Sequence, residues 1–509
     1  MLHRASHCAA SLFGRVPAWR IWRRPPDAWQ TRLVGGAARF WPLVVVLAGA
    51  LLYLPLLGER PLRFEEGRRA LQVMEILDGG AWWRLRVLGE AYVNKPPFTP
   101  WLMAAVALAR GVLDEAAVRL PGVLMALAGA LSAGFAASLL AVADRRVAGL
   151  SAGLAFLCCV QLLLKTRIGE TDVTATALCG LAFAVWMHGR LRGAVGLVHW
   201  LFVTAFLACA ALTKGPVPVA YPALPMIGLP LWRKRRREAL AAVFAVAAAH
   251  VPLAMWVWDN LAGGNAAHWA VEMRLAPTEE TSAGLVSLLH LGELPGAILY
   301  QLPFLPAAVA MMCTRRELAG KAREMAATLL LYGVPLAVLT TVLPVGQARY
   351  SMPASWPLAV LAGLWVSMRW RRLYLADFLV GAGVVVALVI QIVQIGFLDG
   401  RTPGQRRLRA EATQFAAVLE ALPPGPLPLL WRGEAQNRNL LAYAGRKLFV
   451  LEAESLDCRM PANFLIAGLT DTREADASGA WRRERPLSDW GVLYRRADGV
   501  SLRDCGPLP

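Results

Sequence analysis

Charge is scarce in this chain, and acidic charge most of all. Only 17% of its 509 residues are Asp, Glu, Lys or Arg, with 35 acids set against 53 Lys plus Arg. With 57% hydrophobic residues and a mean hydropathy of +0.46, this excludes an ordinary soluble fold and fits a bundle of membrane helices. No Gly-rich phosphate loop occurs, so no nucleotide is expected as a direct group donor. The eight cysteines show no Cys-x-x-Cys or Cys/His spacing of the kind that holds zinc. Cys158, Cys159, Cys179, Cys209 and Cys313 fall in or beside apolar runs, as small core residues do. Cys458 and Cys505 lie in a polar tail and can pair only if that tail faces an oxidising compartment. The first 38 residues are arginine-rich without a long apolar run, which excludes a cleaved signal peptide.

A formal net charge of +18 first suggests nucleic acid. The cations, however, sit in short clusters between apolar spans, the pattern of cytoplasmic anchoring. Residues 1–39 then read as a basic cytoplasmic arm, and the first crossing falls at about 40–58. The apolar stretch 98–112 is short and could cross or lie on the surface. If it lies on the surface, crossings follow at about 120–142, 147–164, 173–188, 195–213, 216–232, 239–258, 293–313, 325–344, 352–368 and 374–398. The clusters Arg145-Arg146, Arg190–Arg192, Arg233–Arg237, Arg315–Arg323 and Arg369–Arg372 then share one side. If it crossed, they would all leave the side of the basic arm. The surface reading therefore predicts an all-α polytopic protein with about 11 transmembrane helices and surface-lying helices in its first outer loop.

This parity collects five polar segments on the outer face: Glu65–Lys95, Lys165–Asp172, Thr213–Pro216, Asp259–Glu293 and Gly346–Ser351. Residues 40–398 form the membrane domain, and 399–509 a small outer-face α/β domain. In the latter we predict helices near Arg406–Leu422 and Glu434–Tyr443, and strands near Pro428–Trp431, Lys447–Leu451 and Phe464–Ala467.

Ionisable side chains at a membrane face are costly unless they meet water, a partner or a charged ligand. Glu65 and Glu66 are the leading candidates. One can take a proton from a hydroxyl while its neighbour orients it, or both can simply open a helix running to about Leu77. Lys95, braced by Pro96-Pro97, suits a phosphate, or snorkels to headgroups. Arg68 has the same two readings and, three residues after Glu65, a third as its ion-pair partner. Asp172 opens an apolar helix, where capping is the usual reason for an acid. Lys214 interrupts two apolar runs, and Arg349-Tyr350 precedes a span, where Tyr belongs to the aromatic belt. Glu272 and Arg274 read as a surface pair. His268 and His290 lack ligand partners at helical spacing.

The order Glu65-Glu66-Gly67-Arg68, Gly80-Ala81-Trp82, Lys95-Pro96-Pro97, Arg119-Leu120-Pro121, Thr213-Lys214-Gly215-Pro216 and Arg349-Tyr350-Ser351-Met352-Pro353 resembles the GT-C membrane glycosyltransferases. The branch it is most similar to holds the aminoarabinose lipid A transferases and protein O-mannosyltransferase-like enzymes. That resemblance covers about residues 40–370 and implies sugar transfer from a polyprenyl-phosphate carrier to an envelope acceptor at the outer face of the inner membrane. It implies Glu65 as the residue that activates the acceptor or orients the donor. Arg68, Lys95 and Tyr350 would hold the lipid phosphate, Asp172 would be a second acid, and Arg274 an arginine before the next span. Two positions depart from the family pattern. Glu65 stands where Asp is usual, and Asn94 replaces a Glu that can bind metal with a histidine. No cofactor is assigned, and a divalent metal has only weak support.

The reading is thus a membrane glycosyltransferase with Glu65, Glu66 and Asp172 as catalytic acids and Arg68, Lys95, Lys214, Arg274, Arg349 and Tyr350 on the donor phosphate. Its partners are a polyprenyl-phosphate-linked sugar, a lipid, glycan or protein acceptor and membrane lipids, with no nucleic acid. Two rivals are a lipid-linked substrate transporter or flippase, which predicts broken helices and mid-membrane charges, and a non-catalytic lipid-binding scaffold.

Overall fold

The computed structural model describes residues 28–63, 65–80, 82–265, 293–318, 320–342, 347–371 and 374–395. Beyond these it describes Arg406, Ala410, Gln414, 417–418, 421–422, 427–430, Ala442, 448–451, 464–468, Asp476, 481–487 and 491–496. The chain forms two compact units. The first comprises Met1–Leu57 and Arg119–Gln394, the second Gly58–Val118 and Ile395–Pro509.

In chain order the helices begin with α1 (Ala28–Arg39), α2 (Trp41–Tyr53), α3 (Glu66–Gly79), α4 (Phe98–Arg110) and α5 (Glu115–Leu140). They continue with α6 (Arg145–Leu157), α7 (Val160–Lys165), α8 (Asp172–Leu191), α9 (Leu197–Lys214), α10 (Pro216–Trp232) and α11 (Arg236–Asn260). Then come α12 (Glu293–Leu299), α13 (Leu305–Thr314), α14 (Gly320–Val342), α15 (Ser355–Arg369) and α16 (Tyr374–Val393).

Among the described residues four helices are long and apolar enough to cross a membrane: Glu115–Leu140, Leu197–Lys214, Arg236–Gly264 and Gly320–Leu339. Helices α1 and α2, bent by 93° at their joint, make a fifth if counted as one span. At 13 residues α4 is about 20 Å long, short of a bilayer core. Pro96-Pro97 starts it, because proline's fixed φ suits a first turn.

Helices α6, α8 and α15 are apolar around nearly their whole circumference and are buried accordingly. Gly363 of α15 lets that helix meet α6 backbone to backbone. A Cβ there would stand 2.6 Å from Ala152 Cβ and 2.7 Å from the Ala148 carbonyl. At the centre, Trp356 donates to Ser132 Oγ at 2.8 Å and packs with Phe183 and Tyr332. Helices α9 and α11 instead expose Leu, Val and Phe on one side, as lipid-facing helices do.

Two expected spans are interrupted. The stretch 147–164 breaks at Cys158-Cys159 between α6 and α7, and 293–313 breaks between α12 and α13. A helix start leaves N–H groups without intrahelical partners. Here the two breaks satisfy each other: Val160 N–H donates to Leu302 O at 3.1 Å and Gln161 N–H to Tyr300 O at 3.3 Å. Local periodicity holds no trace of such a long-range exchange.

At one end of the first unit the basic loops meet. Arg190 donates to Glu238 at 2.8 Å and Glu324 at 3.1 Å, Arg233 pairs with Glu324 at 3.2 Å, and Lys321 donates to Leu191 O at 3.1 Å. The clusters near residues 190, 233 and 323 therefore share a face.

The second unit carries a mixed sheet of β3 (Leu427–Leu430), β4 (Leu448–Leu451), β5 (Phe464–Gly468), β6 (Trp481–Leu487) and β7 (Gly491–Arg496), following the short hairpin β1 (Arg86–Val87) and β2 (Glu90–Ala91). Its order is β4-β3-β5-β7-β6, parallel through β4, β3 and β5 and antiparallel onward. Three strands stand where expected, and residues 406, 410, 414, 417 and 418 are helical. Strands β6 and β7 add to that expectation. β6 is an edge strand rich in arginine, a sequence that resists edge pairing and hides its strand character. Leu71, Val73, Leu88, Met103, Ala107, Ile466 and Leu493 share one core, which joins the 58–118 segment to the sheet. Except for Ala442, the segment 434–443 lies outside the described residues.

Candidate functional site

Helices α8 and α9 form an antiparallel hairpin of 20 and 18 residues. At 1.5 Å per residue their lengths differ by about 3 Å, which returns Lys214 to the level of Asp172. Asp172 opens α8, where the helix dipole favours an acid, and Lys214 ends α9, where it favours a cation. Gly215, at φ 80° and ψ −161°, takes a backbone conformation that side-chain-bearing residues avoid, and Pro216 then starts α10. The Thr-Lys-Gly-Pro turn is therefore dictated by its own chemistry.

Asp172 and Lys214 form an ion pair, their side chains 6% and 17% exposed. The Lys214 ammonium also lies 4.6 Å from the Tyr350 ring centroid, and the Arg349 guanidinium 5.6 Å from the same ring. The 3₁₀ helix Ala348–Ala354 presents both residues, and its surroundings fix it. Tyr221 donates to Tyr350 O at 2.8 Å, Gln161 to Arg349 O at 2.9 Å, and Ala348 N–H to Glu293 at 2.7 Å. Beneath it, Ser355 donates to Gln301 at 2.8 Å. Close by in sequence, Lys165 pairs with Glu170 at 3.1 Å, and buried Arg167 donates to the carbonyls of Tyr53 and Pro55 at 2.8 and 2.7 Å. The first unit thus gathers Asp172, Lys214, Arg349 and Tyr350 into one cluster of an acid, two cations and a phenol.

The second unit holds the other candidates. Glu65 stands at the N-cap position of α3 without a side-chain capping bond and pairs instead with Arg68 at 3.2 Å, both side chains partly exposed. Glu66 is wholly buried, 3.4 Å from Arg60, and accepts the Arg63 N–H at 3.0 Å. The acids do open a helix, and their environments differ sharply. Arg68 lies 5.7 Å from the Tyr92 ring centroid. Burial raises the Tyr92 phenol above its usual pKa of 10.0, with Arg69 and Arg68 pulling the other way. Lys95 is half-buried in the turn before α4. Trp83, Phe98 and Trp101 pack nearby, with ring centroids 6.1 and 6.3 Å from that of Trp101.

Arg274, Glu272, His268, His290, Cys458 and Cys505 lie outside the described residues. Sequence reasoning missed Gln161, Tyr221, Glu293, Gln301 and Tyr92 as supports of the two clusters. A glutamine inside an apolar run was the available signal for Gln161 and Gln301, since a buried amide must find partners.

No protein-family model and no curated protein matches the chain in sequence. Solved structures do. ArnT from Cupriavidus metallidurans bound to undecaprenyl phosphate superposes at a TM-score of 0.70 with 17% identity, covering 92% of this chain and 99% of that one. The apo form of ArnT gives 0.67 and 17%, covering 93% and 100%. The mycobacterial arabinofuranosyltransferase AftD gives 0.50 and 13%, covering 92% of this chain and 42% of its own.

Proposed function

We propose that this chain, a multi-pass membrane protein with the GT-C fold of ArnT, transfers a sugar from a polyprenyl-phosphate donor to an envelope acceptor, be it lipid A, another glycan or a protein. The observation that carries this reading is the Asp172–Lys214–Arg349–Tyr350 cluster at one end of the first unit. Two cations and a phenol suit a lipid phosphate, and ArnT, which shares the fold, binds undecaprenyl phosphate.

In the proposed reaction the acceptor hydroxyl gives its proton to Glu65 as its oxygen bonds to the anomeric carbon. The bond from that carbon to the phosphate oxygen breaks, and its electron pair leaves with the polyprenyl phosphate. Preorganised cations of the second unit, Lys95 and Arg68, stabilise the charge that develops there. Within the first unit Lys214, Arg349 and Tyr350 suit a lipid phosphate, Arg274 is assigned the same role, and Asp172 is the assisting acid. Glu66, buried against Arg60, positions the start of α3 for Glu65. The topology of about eleven crossings belongs to this proposal and is supported by the meeting of the basic loops. So does placement in the inner membrane, with the site and the C-terminal domain on the outer face.

The test uses purified protein in nanodiscs with a polyprenyl-phosphate sugar and envelope acceptors, followed by mass spectrometry of product and freed carrier. Wild type forms product, and Glu65→Gln and Asp172→Asn form it about 10²-fold or more slower. Carrier binding without transfer under any donor would overturn the assignment in favour of a scaffold. One observation favours a second reading, a lipid-linked substrate transporter: α6/α7 and α12/α13 are broken helices that satisfy one another. Movement of labelled lipid across the bilayer without a glycosylated product would decide for it.

A further inference from the structure

The end of the first unit opposite Asp172 carries a feature that the transfer reaction does not use. Helix α8 spans 20 residues, so its far end stands about 30 Å from Asp172. There the loop after α8, Trp200 of α9 and the run Lys234–Glu238 border an open cleft of about 590 Å³.

Its charge is unbalanced. Arg233 pairs with Glu324 at 3.2 Å and Arg235 with Glu238 at 3.7 Å, while Glu238 is already held by Arg190 at 2.8 Å. Among the described residues no carboxylate pairs with Lys234, Arg236 or Arg237, all three exposed and all lining the cleft. Lys234 sits at φ 57°, in the turn closed by Lys234 N–H to Leu231 O and Arg235 N–H to Pro230 O. Glycine takes that helix-ending position without strain, and lysine does not. Retaining lysine there puts a cation on the cleft at a conformational cost.

The two helices that border the cleft also carry exposed apolar side chains. Leu197 and Leu201 of α9, and Leu240 and Phe244 of α11, are exposed at four-residue spacing within the first turns of their helices. A free phosphate gains nothing from such a surface, whereas acyl chains do. Trp200 has the amphipathic ring that favours the headgroup level.

We infer that this cleft binds the phosphodiester headgroup of an anionic phospholipid through Lys234, Arg236 and Arg237, its acyl chains lying along Leu197, Leu201, Leu240 and Phe244. Scattered basic loops give only diffuse attraction to an anionic surface. A cleft of this kind retains a discrete, countable lipid.

The experiment is native mass spectrometry of the full chain released from nanodiscs of phosphatidylcholine with a minor fraction of phosphatidylglycerol. Wild type keeps a bound phosphatidylglycerol and not phosphatidylcholine. Lys234→Gln/Arg236→Gln/Arg237→Gln loses it, with affinity about a hundredfold lower, while Arg315→Gln/Arg316→Gln, an exposed pair away from the cleft, keeps it. Lys234→Gly separates binding from folding, because it relieves the backbone. It holds or raises the melting temperature yet lowers lipid retention about fivefold. Excess inorganic phosphate leaves the lipid in place. Equal retention by the triple variant, equal loss by the Arg315/Arg316 control, equal retention of phosphatidylcholine or displacement by phosphate would each overturn the assignment.

Discussion

Lys214→Met removes the cation from a pair whose partner, Asp172, is the more deeply placed of the two. A carboxylate 6% exposed and left without its cation costs about 3 kcal/mol, the lower end for broken buried pairs, since the site sits at a helix N-terminus that also favours the charge. Asp172→Asn is milder, about 1 kcal/mol, because Lys214 is more exposed and its flexible stem can carry the ammonium to water. With both changes no orphaned ion remains, and the loss stays near 1 kcal/mol. The double-mutant cycle therefore gives a coupling of about 3 kcal/mol. The measurement is denaturant-induced unfolding of all four proteins in the same detergent. A coupling below about 0.5 kcal/mol, the range of exposed pairs, would refute the buried-pair reasoning. Turnover supplies a second readout. The Asp172→Asn/Lys214→Met protein is nearly as stable as wild type and inactive, and wild-type turnover from it would remove the pair from the chemistry.

Glu65→Gln lowers turnover about 10²-fold or more at unchanged stability, whereas Glu66→Gln, which neutralises a wholly buried partner of Arg60, lowers stability by about 3 kcal/mol. Unfolding curves beside product assays separate the two. Gly215→Ala destabilises by about 1–3 kcal/mol from backbone strain alone, since an added Cβ there meets no atom within 4 Å. Gly228→Ala, equally open but inside α10, is neutral or stabilising in the same unfolding assay. The Tyr92 phenol ionises above its ordinary pKa of 10.0. Because its folded value is raised, its contribution to stability is complete below pH 10.0 and lost as pH rises through the folded value. The ultraviolet difference titration of wild type against Tyr92→Phe shows a component with its midpoint above pH 10.0.

The local chemistry of the site is legible in the sequence. Pro96-Pro97 starts α4, Gly215-Pro216 turns α9 into α10, and Glu65-Glu66 open α3, each because a backbone preference acts within a few residues. Apolar runs mark the membrane helices, and charge bias predicts the shared face on which the clusters near 190, 233 and 323 meet. What tertiary structure alone decided was partnership. That Lys214 meets Asp172 depends on the nearly equal length of two helices, and that Gln161, Tyr221 and Glu293 hold the Arg349-Tyr350 segment depends on residues 55 to 188 positions away. The breaks at Cys158-Cys159 and within 300–304 were equally hidden, because the amides freed at the first find their carbonyls at the second. Glu65 and Glu66 are chemically alike and adjacent, yet burial made one an anchor and left the other near water. Periodicity and propensity reach about one helical turn along the chain, and burial and long-range hydrogen bonding are set by segments brought together only on folding.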